Sequence, residues 1–212
     1  MRITVFGASG RTGRLVVHHA LRAGHEVIAA VRNPSRVPIS HPRLRVVRTD
    51  LSEPGQVETA VEAADAVISA LGATSRNDTS AVCSVGTASI VKAMQTTGAA
   101  RLLVISAAPL ADVDDNDGLL YRAALRPLLR AVLKRVYADM VLMEREVRDS
   151  GLAWTIVRPP GLTDKPASGH YRTAADHNLR RGYTISRDDL AAELLALAGD
   201  ESAVRHVISI AN

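Results

Sequence analysis

Short apolar runs alternate with helical patterns along most of the chain. The first run, Arg2–Phe6, leads into a glycine-rich segment and then into a helical pattern of apolar residues that reaches Ala23. Apolar runs of strand length that alternate with such segments are typical of parallel sheets buried on both faces. We therefore predict an α/β fold with a doubly wound parallel sheet. The predicted strands are residues 2–6, 26–31, 44–48, 66–71, 102–106 and 153–158, with a last candidate at 207–210.

The intervening segments predict helices at residues 56–63, 81–96, 119–149 and 187–198. Pro127 is expected to kink or split the third of these, because proline removes a helical N–H and clashes with the preceding turn. Gly98 is a candidate C-cap of the second, and Ser186 is a candidate N-cap of the last. Residues 162–183 are rich in Pro, Gly, His and Arg. We expect them to form a small C-terminal extension that covers a substrate, with a short strand candidate at 171–172.

Composition narrows the class of protein. Hydrophobic residues make up 47% of the 212 residues and aromatic residues only 3%, so the core must consist mostly of Ala, Val, Leu and Ile. The single cysteine, Cys83, excludes an internal disulfide and suits a reducing compartment. No apolar run reaches the ~18 residues of a membrane span, and the N-terminus does not resemble a signal peptide. These features predict a soluble cytoplasmic protein without a membrane partner.

The net charge of +4 has two interpretations. A basic surface can bind nucleic acid, but the cations are not interleaved with aromatic residues and no nucleic-acid motif is present. We therefore expect no nucleic-acid partner. A solvated basic surface that attracts an anionic cofactor or substrate is the favoured interpretation. We expect a small-molecule substrate and a monomer or weak homo-oligomer.

The segment after the first strand carries the strongest chemical signal. It reads Gly7-Ala8-Ser9-Gly10-Arg11-Thr12-Gly13, with G-x-x-G-x-x-G spacing rather than G-x-G-x-x-G. A glycine loop between a strand and a helix holds the pyrophosphate of a dinucleotide, since the backbone approaches closely and the helix N-terminus supplies free N–H groups. The alternative is an ordinary turn without a ligand. We expect a Rossmann-like fold in which residues 1–212 form a single NAD(P)-binding domain.

Arg32 indicates which dinucleotide would bind. It ends the second predicted strand, nineteen positions after Gly13. An acidic residue near this point bonds the ribose 2′-hydroxyl of NAD, whereas an arginine accommodates the 2′-phosphate of NADP. We therefore predict NADP(H) as the cofactor, with Arg11 and Arg36 as nearby cations. In the alternative interpretation, Arg32 is a solvated loop cation.

The carboxyl ends of parallel strands meet at one edge of the sheet, where ligands bind. At that edge Asp50 is expected beside the adenine, Ala70-Leu71-Gly72 beside a ribose or the pyrophosphate, and Ser106 with Pro159-Pro160 beside the nicotinamide. The predicted cofactor-binding residues are Gly7, Ala8, Ser9, Gly10, Arg11, Thr12, Gly13, Arg32, Asp50, Leu51, Ala70, Leu71, Gly72, Ser106, Ala107, Pro159 and Pro160.

A family resemblance supports these expectations. The glycine loop, Asp50-Leu51, Ser106-Ala107 and the Pro-Pro-x-x-x-Asp-x-Pro segment at 159–166 resemble the atypical short-chain dehydrogenase/reductases, especially the NmrA-like branch and the biliverdin reductase B/flavin reductase group. The resemblance implies an NADPH-dependent reductase acting on flavins, quinones or linear tetrapyrroles. It also matches Ser106 to the serine of the flavin reductase group.

Two departures from the family pattern concern catalysis. Typical short-chain dehydrogenases use Tyr-x-x-x-Lys, but Leu125 follows Tyr121 at that spacing and Val141 follows Tyr137, while Lys134 precedes Tyr137 by three positions. The flavin reductase group has a histidine after the double proline, and here that residue is Gly161.

The predicted catalytic residues are Ser106, Tyr121 and Tyr137. Ser106 is the first choice as a hydrogen-bond donor to substrate, with a local bond to the backbone as the alternative. Tyr121 and Tyr137 are candidate proton donors, with helix packing as the alternative. His170 and His177 are further candidate acids, because histidine titrates near neutrality. We identify no metal-ligand set.

Three functions remain open from the sequence. The first is an NADPH-dependent oxidoreductase that transfers hydride to a flat conjugated acceptor, a step that needs aligned rings more than acid–base help. The second is a non-catalytic NADP-binding regulator of the NmrA type. The third is a cofactor-retaining epimerase or similar tailoring enzyme.

Overall fold

A computed structural model describes residues 1–73, 75, 78, 80–111, 123 and 126–212. It contains an eight-stranded sheet in the order β3-β2-β1-β4-β5-β6-β10-β8, in which only β8 runs antiparallel to its neighbour. Strands β7 and β9 form a separate parallel pair. The strands are β1 Arg2–Phe6, β2 Glu26–Val31, β3 Leu44–Arg48, β4 Ala66–Ser69, β5 Arg101–Ile105, β6 Ala153–Arg158, β7 Gly161–Thr163, β8 Arg172–Ala175, β9 Thr184–Ser186 and β10 His206–Ala211.

Helices cover both faces of the sheet, which confirms the predicted Rossmann-like α/β fold. Helices α1 and α6 pack against each other on one face, and α3 lies between α2 and α5 on the other. Alternate strand residues feed the two cores, so that Val5 joins the α1/α6 core whereas Phe6 joins the α2/α3/α5 core. The helices are α1 Arg11–Arg22, α2 Pro54–Val61, α3 Val82–Thr97, α4 Arg126–Val132, α5 Lys134–Asp149 and α6 Arg187–Ala198.

The predicted helix at 119–149 divides at a different place from the one expected. Pro127 is the second residue of α4, where its missing N–H removes no helical bond, and the break before α5 falls at Leu133. Of the part before α4, only Ala123 is among the described residues. Two caps agree with the sequence: Gly98 ends α3 at φ +80°, and the Ser186 hydroxyl accepts a hydrogen bond from the Asp189 N–H.

The segment 162–183 is tied to the rest of the fold. Strand β8 lies in this segment, two residues longer than the predicted one, and pairs with β10 at the edge of the sheet. The buried carboxylate of Asp189 accepts hydrogen bonds from the N–H groups of Ser168 and Gly169, and Tyr171 donates to Glu193 at 2.9 Å. Both acceptors belong to α6, so hydrogen bonds to this helix hold the segment in place.

Within the described ranges, no helix has the length and apolarity needed to cross a membrane.

Candidate functional site

The glycine loop is closely packed against its own backbone. Gly7 has φ +72°, and a Cβ placed on it would lie 2.5 Å from the Ala70 carbonyl oxygen. A Cβ on Gly13 would lie 2.2 Å from the Gly7 carbonyl oxygen. Only glycine fits such distances, so these two residues let β1, the loop and α1 approach each other and set the loop beside the end of β4.

The N-terminus of α1 is open to an anion. Gly10 is its N-cap, and among the described residues no side chain caps this end and no acidic residue lies in its first turn. The first N–H groups of a helix have no partner within the helix, and together with the helix dipole they favour a negative charge. Gly10 is exposed, so its backbone can approach a ligand. This cradle fits the pyrophosphate of a dinucleotide.

Arg11 connects the loop to the segment that follows β7. Its Nη1 lies 2.8 Å from one oxygen of Asp164, and Nη1 of Arg187 lies 2.6 Å from the other oxygen. Arg187 is the first residue of α6. Sequence reasoning named Arg11 but not its two partners, although Asp164 is the acidic residue of the Pro-Pro-x-x-x-Asp-x-Pro segment.

The ends of β2 and β3 form an electropositive edge. Arg32 follows β2 and is exposed. Asp50, the nearest carboxylate after β3, accepts hydrogen bonds from the Ser52 N–H and hydroxyl at 3.0 and 2.8 Å. These bonds hold the pKa of Asp50 below its ordinary range, and the charges of Arg32 and Arg48 lower it further. Oδ1 of Asp50 is thus bonded within a local turn, and the exposed Arg32 is accessible to a ligand.

Small residues shape the wall between β3 and β4. A Cβ on Gly86 of α3 would lie 2.8 and 2.9 Å from methyl groups of Leu71 and Leu51, so this glycine makes room for both leucines. The Ser89 hydroxyl donates to the Leu51 carbonyl oxygen at 2.7 Å. Strand β4 ends at Ser69, earlier than predicted, and Ala70–Gly72 form the loop that follows.

A buried polar network lies where β5 and β6 end. The Ser106 hydroxyl donates to Oε1 of Glu144 at 2.6 Å. Arg158 binds the same carboxylate with two nitrogens, Nε at 2.8 Å and Nη2 at 2.5 Å. The side chains of Glu144 and Arg158 are only 8% and 15% exposed. Ser106 therefore gives its hydroxyl hydrogen to a protein carboxylate, and its role as a donor to substrate stays a prediction.

Backbone hydrogen bonds fix the adjacent turns. The Ser106 N–H donates to the Val157 carbonyl oxygen at 2.8 Å, and the Ala108 N–H donates to the Pro159 carbonyl oxygen at 2.9 Å. The predicted nicotinamide-side residues Ser106, Ala107, Pro159 and Pro160 thus lie on two joined strand ends. Sequence reasoning missed Glu144, since its polar helix position looks like any solvated one.

The remaining acid–base candidates are placed less favourably. Tyr137 is 9% exposed on α5, and Val141 one turn later is 52% exposed, in the place of a catalytic lysine. Tyr121 lies outside the described residues. His170 and His177 are exposed on the segment 162–183. The structure therefore brings the cofactor candidates to one edge, but among the residues it describes it does not assemble a tyrosine–lysine pair.

Comparisons with known proteins agree with this geometry. A family model described as NAD(P)H-binding matches residues 7–201. The chain is 30% identical over 202 residues to the uncharacterized sugar epimerase YhfK of Bacillus subtilis strain 168, covering 92% of this chain and 87% of that protein. It is 36% identical over 189 residues to a 3-diazoavenalumate denitrifying reductase from a Streptomyces species, covering 81% of this chain and 59% of the reductase.

Solved structures show the same fold. A short-chain dehydrogenase/reductase from Veillonella parvula DSM 2008, in complex with NADP, superposes with a TM-score of 0.82 at 22% identity and covers 100% of this chain and 94% of that one. ChuY, an anaerobillin reductase from Escherichia coli O157:H7, gives a TM-score of 0.79 at 20% identity, with 100% and 97% of the two chains covered. On the evidence of the family match and the glycine cradle, the chain belongs to the NAD(P)H-binding family.

Proposed function

We propose that this protein is an NADPH-dependent reductase that transfers hydride to a flat conjugated acceptor, such as a flavin, a quinone or a linear tetrapyrrole. The observation that carries the cofactor choice is the exposed Arg32 at the end of β2. A planar guanidinium suits a 2′-phosphate, and the residues that follow β2, Arg32-Asn33-Pro34, include no acidic side chain.

The remaining cofactor contacts follow from the cradle. The N–H groups at the start of α1 would bind the pyrophosphate, with Arg11 as a side-chain cation beside them. Asp50, Leu51 and the loop Ala70–Gly72 would border the adenosine half. Ser106, Ala107, Pro159 and Pro160 would border the nicotinamide, which supplies the hydride when the cofactor is bound.

The acceptor class follows from the acid–base groups at the site. Hydride transfer to a flavin or quinone depends mainly on holding two rings close and aligned. Alcohol oxidation needs a base, and at Val141 the chain has no lysine to lower the pKa of Tyr137. The Ser106 hydrogen serves Glu144, so the serine oxygen has lone pairs with which to accept a bond from a ligand N–H. An easily reduced acceptor suits this arrangement best.

The relatives support the same class. ChuY is named for reduction of anaerobillin, the Streptomyces relative is named a reductase, and the Veillonella protein was solved with NADP. These names, with the Pro-Pro-x-x-x-Asp-x-Pro segment, favour a place near the biliverdin reductase B/flavin reductase and NmrA-like groups.

The test is the loss of NADPH absorbance against a panel of FMN, FAD, riboflavin, biliverdin and quinones, with NADH in parallel. Arg32→Ala should raise the KM for NADPH about 10- to 100-fold, which corresponds to the loss of one hydrogen bond to a charged group. The KM for NADH should be unchanged. Arg22→Ala is the matched control, since Arg22 is exposed at the far end of α1.

Two results would contradict the proposal. An equal effect of Arg32→Ala on both nucleotides would remove the 2′-phosphate role. Tight NADPH binding without reduction of any acceptor would favour the non-catalytic regulator, for which the absent lysine at Val141 is the motivating observation.

A cofactor-retaining epimerase is the second candidate, favoured by the identity to YhfK. Such an enzyme would convert a substrate without net consumption of NADPH. It needs an acid and a base on either side of the substrate, and the buried Tyr137 is a described candidate for one of these roles. Incubation of the protein and its cofactor with nucleotide sugars, followed by product analysis, separates this candidate from the reductase.

A further inference from the structure

Asp164 lies between two arginines that belong to different parts of the site. One carboxylate oxygen binds Arg11 of the glycine loop at 2.8 Å, and the other binds Arg187 of α6 at 2.6 Å. Arg187 is only 12% exposed, whereas Arg11 and Asp164 are 69% and 61% exposed. Arg187 is therefore the largely buried partner of Asp164, and Arg11 is the solvated one.

We propose that Asp164 is an internal competitor for the cofactor at Arg11, and so sets the affinity of the protein for its dinucleotide. The inference rests on the proposed function and deepens it. It concerns the same glycine loop but adds Asp164, which is not among the predicted cofactor-binding residues.

The charges around the loop support competition. The start of α1 offers N–H groups and Arg11 to an anion, and the first turn of α1 contains no acidic residue. Asp164 is thus a negative charge brought to this end from 153 positions away. An arginine that pairs with the carboxylate has fewer N–H groups to offer a phosphate, because its donors form one planar fork.

Arg187 keeps the competing carboxylate of Asp164 in place. When a phosphate takes Arg11, Asp164 still has the less exposed Arg187 as a partner. The carboxylate then remains close to the bound phosphate and repels it. Cofactor binding in the native protein would therefore lose one ion pair and gain one like-charge neighbour, and both effects lower affinity.

The test is calorimetric titration with NADP⁺ of the wild-type protein, Asp164→Asn, Arg11→Gln and the double variant. Asp164→Asn should bind NADP⁺ about two- to fivefold more tightly at low ionic strength, as expected for an exposed ion pair. The gain should shrink as salt screens the charges. In the Arg11→Gln background, Asp164→Asn should give a smaller gain in affinity, because the competing ion pair is already absent. This double-mutant cycle isolates the interaction between Asp164 and Arg11.

Asp149→Asn is the matched control. It removes the same charge from an exposed pair with Arg145, at the C-terminal end of α5, and should leave the affinity unchanged. Unfolding curves of each variant verify that the fold is kept.

Unchanged or weaker binding by Asp164→Asn would overturn the inference, because Asp164 would then be inert or would orient Arg11 toward the cofactor. An equal gain with and without Arg11 would also overturn it. Wild-type protein that does not bind NADP⁺ but binds NADH would defeat the proposed cofactor, while the Asp164 cycle could still be measured with NADH and would decide the competition by itself.

Discussion

The Ser106 hydroxyl lies 2.6 Å from Oε1 of Glu144, and this bond joins the end of β5 to the middle of α5. Arg158 at the end of β6 binds the same carboxylate with two nitrogens. Three elements that border the proposed nicotinamide site are therefore fixed by one carboxylate. The network gives Glu144 a positioning role, since it holds the backbone at Ser106 and Arg158.

Replacing Glu144 should weaken the fold. Glu144→Gln keeps the shape but leaves the guanidinium of Arg158, 15% exposed, without its counter-charge. Breaking a buried pair by removing one partner costs about 3 kcal/mol. We expect a loss of this size in the free energy of unfolding measured with urea. Glu146→Gln, at an exposed position of the same helix, should change the free energy by less than about 0.5 kcal/mol.

Equal stability of Glu144→Gln and the wild-type protein would mean that the network does not hold the two strand ends. Ser106→Ala offers an independent check, because it leaves the ion pair intact and removes only the hydroxyl bond. It should cost about 1 to 2 kcal/mol.

Gly13 should stabilise the fold even without cofactor. The Cβ of Gly13→Ala would lie 2.2 Å from the Gly7 carbonyl oxygen, so α1 must move away from the loop. We expect a loss of about 1–3 kcal/mol in the unfolding free energy of the cofactor-free protein. Gly55→Ala in α2 is the matched control, since no atom of the described residues beyond its neighbours in the helix lies within 4 Å of the added methyl group.

Gly55→Ala should leave the free energy of unfolding unchanged or raise it slightly, because alanine has a higher helix propensity than glycine. If Gly13→Ala lost cofactor affinity but kept full stability, Gly13 would serve the ligand alone.

Cys83 should be unreactive in the native protein. Burial, together with the nearby charge of Asp139, raises the pKa of its thiol to about 12. Because the thiolate is the nucleophile, very little of the reactive form exists near neutral pH. Labelling with a thiol reagent should be slow in buffer and complete after unfolding in guanidinium. Fast labelling of the folded protein would show that the region around Cys83 opens readily.

Local signals explain what could be predicted from the sequence. The strand–loop–helix at residues 2–22 is specified by neighbouring residues: an apolar run, a glycine spacing and an amphipathic segment. The same holds for the Ser186 cap and the Gly98 cap, each of which is a local arrangement of one residue with the helix beside it.

Contacts between distant positions could not be predicted in this way. Glu144 is 38 positions from Ser106, and Arg11 is 153 positions from Asp164, so no periodicity relates either pair. The strand pair β7–β9 is only three residues long on each side and carries no alternating pattern. The helix break falls at Leu133, where no proline or glycine marks it in the sequence, whereas Pro127 lies in the first turn of α4, which accommodates it.

The stability of the segment 162–183 should depend on pH through Asp189. Its carboxylate is 1% exposed and accepts bonds from Ser168, Gly169 and Ser186. Burial alone would raise the pKa of Asp189, but these hydrogen bonds outweigh it and hold the pKa below the ordinary 3.8. Because the pKa of Asp189 is lower in the folded state than in the unfolded state, the charged carboxylate stabilises the protein at pH values above the unfolded pKa. This contribution is lost as the pH falls through the folded pKa.

Asp189→Asn should therefore cost about 2 kcal/mol near neutral pH, since an amide supplies one acceptor oxygen where the carboxylate supplies two. The difference from the wild-type protein should narrow as the pH falls below about 4, where the carboxylate of the unfolded chain begins to take up protons, and it should disappear as the pH falls through the lower pKa of the folded state. Urea unfolding at a series of pH values measures both effects. Asp149→Asn, at an exposed position, should follow the wild-type curve. A constant difference between Asp189→Asn and wild type over the whole acid range would show that the carboxylate's charge does not stabilise the segment.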